Sequence, residues 1–193
     1  MKMVQQKQLE RASLVLSVPV INFFVLLAFV YGFSTGILTQ LNALLIGISL
    51  VVVIPVVPIL HASRKGWIDL EIQDKEERAG FFISPLFGYA TAALVFYLVQ
   101  AHALYVMATA YAAITLAYLF INNFWKISVH TAGTAGPATA LLWVFGPIAA
   151  PLYLLTILVM WVRLQLEAHT LVEAFAGAVV AVIITAATFK LLY

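Results

Sequence analysis

The sequence predicts an all-α fold, a polytopic transmembrane helical bundle of about six to seven membrane helices. Three observations lead there. Hydrophobic residues make up 64% of the 193 residues and charged residues only 9%, with a mean hydropathy of +1.06, far from the composition of a water-soluble domain. Several apolar runs reach the roughly 20 residues that a helix needs to cross a hydrocarbon core. The runs lack the alternation of a membrane β-strand, and backbone in lipid must bond internally, so they read as helices.

The first stretch, MKMVQQKQLERAS, is polar and amphipathic. The apolar run behind it is too long for a removed signal peptide and lacks a small-residue cleavage site. Apolar runs then fall at 14–34, 38–60, 81–100, 103–121, 131–148, 150–163 and 169–192. Phe33 to Gly36 reads as a tight turn, and Pro55 and Pro58 are expected to kink the second run or leave carbonyls unpaired. Residues 61–80 form the one long polar segment. Gln100-Ala101-His102 is a minimal turn, 122–126 a polar break, and Gly146-Pro147 with Pro151 a short reversal. With no repeat, linker or low-complexity tract, residues 1–193 read as a single integral membrane domain. The chain has no cysteine, which excludes disulfides and thiolate metal sites. Its net charge of +2 gives no reason to expect a nucleic-acid partner.

Seven crossings would place the N-terminus, the 61–80 segment, the 122–130 break and the Arg163–His169 segment on one side. The turns near 35, 101 and 148 and the C-terminus would lie on the other. Every acidic residue and every Lys or Arg except Lys190 then falls on the first side. The positive-inside rule makes that side the cytoplasmic face of a cell membrane. The polar segments, distant in sequence, become neighbours at that face.

The reactive residues gather in the same segments. In RLQLEAHTLVEAFAG, Arg163 precedes His169 by six residues and Glu173 follows it by four. Residues four apart on a helix share a face, so Glu173 can orient the imidazole while the other ring nitrogen becomes more basic. In WKISVHTAGTAG, Ser128 and His130 open an Ala/Gly-rich helix whose first amides suit a phosphate, and Lys126 adds a point charge. Thr131, Gly133, Thr134 and Gly136 keep that helix narrow, so a helix or an acyl chain can approach. In DKEERAG, Lys75 and Arg78 alternate with acids, the pattern of a solvated loop; Arg78 stands nearest the next helix. His61 and His102 read as polar caps, and Trp67, Trp125 and Trp161 as interfacial anchors.

These segments resemble the type 2 phosphatidic acid phosphatase (PAP2) superfamily, over roughly residues 70–180. Its third motif, Ser-Arg-x5-His-x3-Asp, is matched by Val162, Arg163, His169 and Glu173, with valine for serine and glutamate for aspartate. Its second, Pro-Ser-Gly-His, is matched in part by Ile127-Ser128-Val129-His130. Its first, Lys-x6-Arg-Pro, is not matched as written: Lys75 and Arg78 are three apart and no proline follows. The resemblance implies a PAP2-like core and a metal-independent, cofactor-free lipid phosphatase acting through a phosphohistidine. His169 would be the nucleophile, Glu173 its orienting group and His130 the acid for the leaving oxygen. Arg163, Ser128, Lys126 and, at the unmatched motif, Arg78 and Lys75 would hold the phosphate. The implied substrate is a lipid phosphate or an isoprenoid pyrophosphate, its head at the interface and its tail between helices. Many relatives act on the outer face, whereas the charges here place the motifs inside.

Three other readings stay open. A silent PAP2-like scaffold or lipid-binding protein would keep the fold without turnover. A membrane prenyltransferase would carry paired Asp-rich Mg²⁺ motifs, and Asp69 and Asp74, both in one loop, are the only aspartates. A metal site from His130, His169 and Glu173 is chemically allowed, but no spacing specifies one.

Overall fold

The computed structural model describes residues 2–67 and 80–193, with side chains from Gln6 onward. Lys75 and Arg78 lie outside the described residues. Within them the chain is helical and contains no strand. The helices are α1 (Lys2–Val15), α2 (Val18–Gly32), α3 (Gln40–Gly47), α4 (Ile54–Arg64), α5 (Ile83–Leu98), α6 (His102–Ile121), α7 (Val129–Phe145), α8 (Tyr153–Gln165) and α9 (Leu171–Leu192). A π-helical segment, Ile48–Val53, joins α3 to α4, and a 3-10 segment, Gly146–Leu152, joins α7 to α8. Among the described residues, five stretches are long and apolar enough to cross a membrane: Gln6–Gly32, Gln40–Arg64, His102–Ile121, Val129–Gln165 and Leu171–Leu192. Large apolar side chains stand exposed along them, among them Phe24, Leu116, Leu154 and Ile183, as on a surface that faces hydrocarbon rather than water.

All seven predicted apolar runs are helical, and among the described residues five stretches meet the length criterion. The run at 81–100 yields only the 16 residues of α5, about 24 Å at the α-helical rise. The fifth and sixth runs form one stretch folded back on itself. Gly146, at φ +74°, opens the reversal, in a left-handed conformation that glycine adopts freely. Tyr153 and Thr139 share a hydrogen bond of 2.7 Å across the bend, so α7 and α8 run antiparallel. The first apolar run also starts later than its composition predicts. Ser17 is extended, at φ −71° and ψ 155°, and Pro19 stands in the first turn of α2, where its missing N–H costs nothing.

The prolines of the second run act as expected. Pro55 cannot donate to the carbonyl four residues back, and the ladder upstream runs in π register, with Ile54 N–H on Ser49 O. Pro58 leaves the carbonyl of Ile54 without its usual donor, and the Ser84 hydroxyl from α5 donates to it. A part-buried carbonyl is thereby satisfied between helices, as membrane interiors require.

The helix ends sort into two groups. At one end the 33–39 turn meets the 99–101 turn through Ile37 N–H on Val99 O at 3.0 Å. A Cβ on Gly36 would come within 1.8 Å of that carbonyl, so only glycine permits the contact. Phe33 touches Phe145 and Tyr193, and Tyr193 stacks on His102, which brings in the 3-10 reversal and the C-terminus. The starts of α7 and α9 and the end of α8 meet at the opposite end. Among the described residues, the turns thus gather at one end and the Arg163–Glu173 segment at the other.

Candidate functional site

The site end is built from two helix N-termini laid side by side. Ser128 caps α7, its Oγ accepting from Thr131 N–H at 3.4 Å. Thr170 caps α9 in a reciprocal capping box: its Oγ1 accepts from Glu173 N–H at 3.3 Å, and Glu173 Oε2 accepts from Thr170 N–H at 2.9 Å. Such boxes satisfy two orphan amides at once. The two starts are then tied together. Ser128 N–H donates to Glu173 O at 3.2 Å and Thr131 Oγ1 to Ala174 O at 2.8 Å. From α6, Tyr118 Oη donates to Gly177 O at 2.8 Å, with Ser128 O at 3.3 Å. Gly177 makes this closeness sterically feasible, because a Cβ there would meet Ser128 O at 2.5 Å and Thr131 Oγ1 at 2.8 Å.

On this frame His169 precedes α9, 5% exposed, with Nδ1 3.3 Å from Glu173 Oε2. The pair has the i,i+4 spacing read from the sequence. Glu173 therefore does two things: it closes the capping box and it faces the imidazole. Arg163 lies in the last turn of α8 and is 2% exposed, its Nη1 donating to Ser13 Oγ of α1 at 3.0 Å. A cation in a last turn suits the negative end of the helix. The chain then reverses within three residues. Ala168 N–H returns to Arg163 O and Glu167 N–H to Leu164 O, with Glu167 left-handed at φ 53°. This Schellman geometry sets His169 close behind Arg163.

Arg163 and His130 come from different helices and line a common cavity of about 310 Å³, together with Ser13, Ser17, Asn22, Tyr89, Tyr111 and Tyr118. Its other walls are mainly apolar side chains of α2, α4, α5 and α7, a lining typical of sites for small apolar ligands. A smaller void next to it is lined by Ser13, His130, Val162 and Arg163. Neither cavity is lined by His169, Glu173, Ser128 or Lys126. Ser128 is fully buried and its Oγ is engaged as the α7 cap. Lys126 is half-buried in the connection between α6 and α7. Among the described residues, no three His, Asp or Glu side chains gather closely enough to hold a metal ion.

Ser13, Tyr118 and Asn22 had no motif to announce them. Ser13 lies in a polar N-terminal helix, and the other two lie inside apolar runs where periodicity says only that they are buried. A polar residue within such a run was the one available signal. Protein-family models, curated proteins and solved structures return no match to this chain.

Proposed function

We propose that the protein is a multi-pass membrane lipid phosphatase of the PAP2 type, with the Arg163 end of the cavity receiving a phosphate head and the apolar remainder receiving the tail. The observation that carries this reading is the shared cavity. A guanidinium and an imidazole from separate helices line one pocket whose other walls are mainly apolar, matching an amphiphile with an anionic head. Two helix N-termini lie side by side nearby, and their dipoles favour negative charge. The His169–Glu173 contact of 3.3 Å supplies an oriented imidazole near Arg163.

In the proposed reaction His169 Nε2 attacks phosphorus and forms an N–P bond as the bond to the leaving oxygen breaks. Protonated His130 gives its proton to that oxygen. Water then attacks phosphorus and gives a proton to His130, the N–P bond breaks with its electron pair returning to His169 Nε2, and inorganic phosphate leaves. Positioning and charge neutralisation dominate phosphoryl transfer, and Arg163 supplies the fixed cation. Glu173 holds the ring and stabilises its cationic form, the part that an orienting carboxylate plays beside a histidine.

The test is phosphate release from phosphatidate, phosphatidylglycerol phosphate and polyprenyl pyrophosphates by the purified protein without added divalent ions. His169→Ala is expected to abolish release while lipid still binds. Release that needs Mg²⁺, or a fully active His169→Ala protein, would overturn the mechanism. A second reading, lipid binding without turnover, is favoured by one observation: Ser128 is committed to capping, and His169 lines neither cavity. Binding without release by the wild type selects that reading.

The charge distribution supports a cytoplasmic position for this face. The chain has no native cysteine, so Gln165→Cys gives a clean accessibility probe. Labelling by an impermeant maleimide is expected only after the membrane is permeabilised; labelling of intact cells would reverse the orientation.

A further inference from the structure

Two features around Arg163 play no part in that mechanism. The first is a contact made across 150 residues of chain: Arg163 Nη1 donates to Ser13 Oγ at 3.0 Å, and both side chains are buried. The second is where that serine stands. Ser13 lines the main cavity and the smaller void beside it, in both cases together with Arg163 and His130. It therefore adjoins the two groups that would meet a phosphate. Yet it belongs to α1, outside the 70–180 stretch that carries the motifs.

Local structure fixes the serine in place. The last turn of α1 closes with Leu16 N–H on Ala12 O and Ser17 N–H on Leu14 O, and the backbone then extends at Ser17 before α2 begins. The start of α2 is seated on α7. A Cβ on Gly133 would fall 2.4 Å from Val18 Cγ2, so the missing side chain makes room for the valine. Gly133 is less than one turn of α7 beyond His130. On its other side α1 packs against α8, whose last turn carries Arg163. The junction of α1 and α2 is thus anchored next to both cavity-lining groups.

An arginine side chain turns about several single bonds, and a charge clamp works only when its planar fork is held in register. A hydroxyl suits that task. It accepts one N–H bond and leaves the positive charge intact, whereas a carboxylate would cancel it before an anion arrives. Resting on the reading of Arg163 as the cation for a phosphate head, we infer that Ser13 is a positioning residue that sets the Arg163 guanidinium on the cavity wall. The N-terminal helix then completes an anion site that the motif-bearing segments do not complete by themselves.

The experiment titrates the full chain in detergent, by calorimetry, with octylphosphonate and with octanol, for the wild type and Ser13→Ala. The C–P bond of the phosphonate resists hydrolysis, and the two probes share a tail but differ in head charge. Alanine favours helix, so α1 persists in the variant. Octylphosphonate is expected to bind about tenfold more weakly to Ser13→Ala, and octanol to change by less than about twofold. Equal weakening of both probes, as a serine that merely packs α1 would give, overturns the inference; so does unchanged binding of both. Selective weakening, in a protein whose wild type releases no phosphate from lipid phosphates, overturns the phosphatase reading and leaves the positioning role. Phosphate release with equal kcat/KM and equal probe binding in wild type and variant does the reverse. A wild type that binds no octylphosphonate overturns both.

Discussion

The two ends of the bundle are held by different forces. At the turn end, Phe33, Phe145, Phe189, Tyr193 and His102 interlock ring against ring, with Phe33 and Phe145 centroids 5.3 Å apart. Aromatic packing of this kind is worth about 0.5–1.5 kcal/mol per pair beyond burial and tolerates small shifts. At the site end the contacts are hydrogen bonds to main-chain carbonyls: Ser128 N–H to Glu173 O, Thr131 to Ala174 O, Tyr118 to Gly177 O. Those bonds need the backbones of α7 and α9 to come close, so this end is lined by Ala132, Ala135, Ala174, Ala178 and Gly177. Small residues serve helix association in membranes in this way. Rings can hold an end closed, whereas fixed carbonyl bonds can keep an imidazole and a guanidinium in register.

The largest break in that contrast is Gly177→Val. Its Cβ would fall 2.5 Å from the Ser128 carbonyl, and overpacking against backbone is expected to cost about 3 kcal/mol and to remove lipid phosphate release as well. Normal thermal unfolding of this variant in detergent would show that the two helix starts do not need their close approach. Glu173→Gln comes next and separates the two duties of that residue. Glutamine keeps a capping-box acceptor, so stability should hold within about 0.5 kcal/mol. The charge beside His169 is lost, and kcat should fall roughly a hundredfold or more. Equal loss of stability and rate would mean that Glu173 only caps. The smallest effect belongs to the other end. Phe33→Leu should cost about 0.5–1.5 kcal/mol and leave kcat and KM for lipid phosphate unchanged. A change in KM there would show that the ends are coupled.

Much of the fold was legible because lipid narrows the choices. Runs of apolar residues in this composition have to be helices, and their punctuation by Gly36, Gln100 and Gly146-Pro147 is visible in the letters. The consequence of Pro55 and Pro58 was legible too, as unsatisfied carbonyls, though not that Ser84 would meet one of them. The start of α2 was not legible, since Leu14 and Val15 are as apolar as the residues of α2 itself and only the extended Ser17 separates them. The reversal at Gly146 joins two predicted runs into one long apolar stretch, Val129–Gln165, so a count of stretches differs from a count of runs. Within the candidate site, the His169–Glu173 pair was legible because it is local, set by helical spacing alone. Ser13 against Arg163 was not, because that contact joins residues 150 apart in the chain, and no periodicity carries such information.

By itself, then, the sequence determined an all-helical membrane chain, the turns that punctuate it, and the local pairing of His169 with Glu173. These come from composition and from a 3.6-residue repeat, properties that a chain has before it packs. The tertiary structure decided which of the charged groups share a space. It put Arg163 and His130 on one cavity, turned Ser128 into a cap, left His169 outside the cavity wall, and buried the Tyr111 hydroxyl beside apolar walls. The physical reason is that crossing geometry depends on where glycines and alanines let backbones meet, and that is settled between helices, not within them.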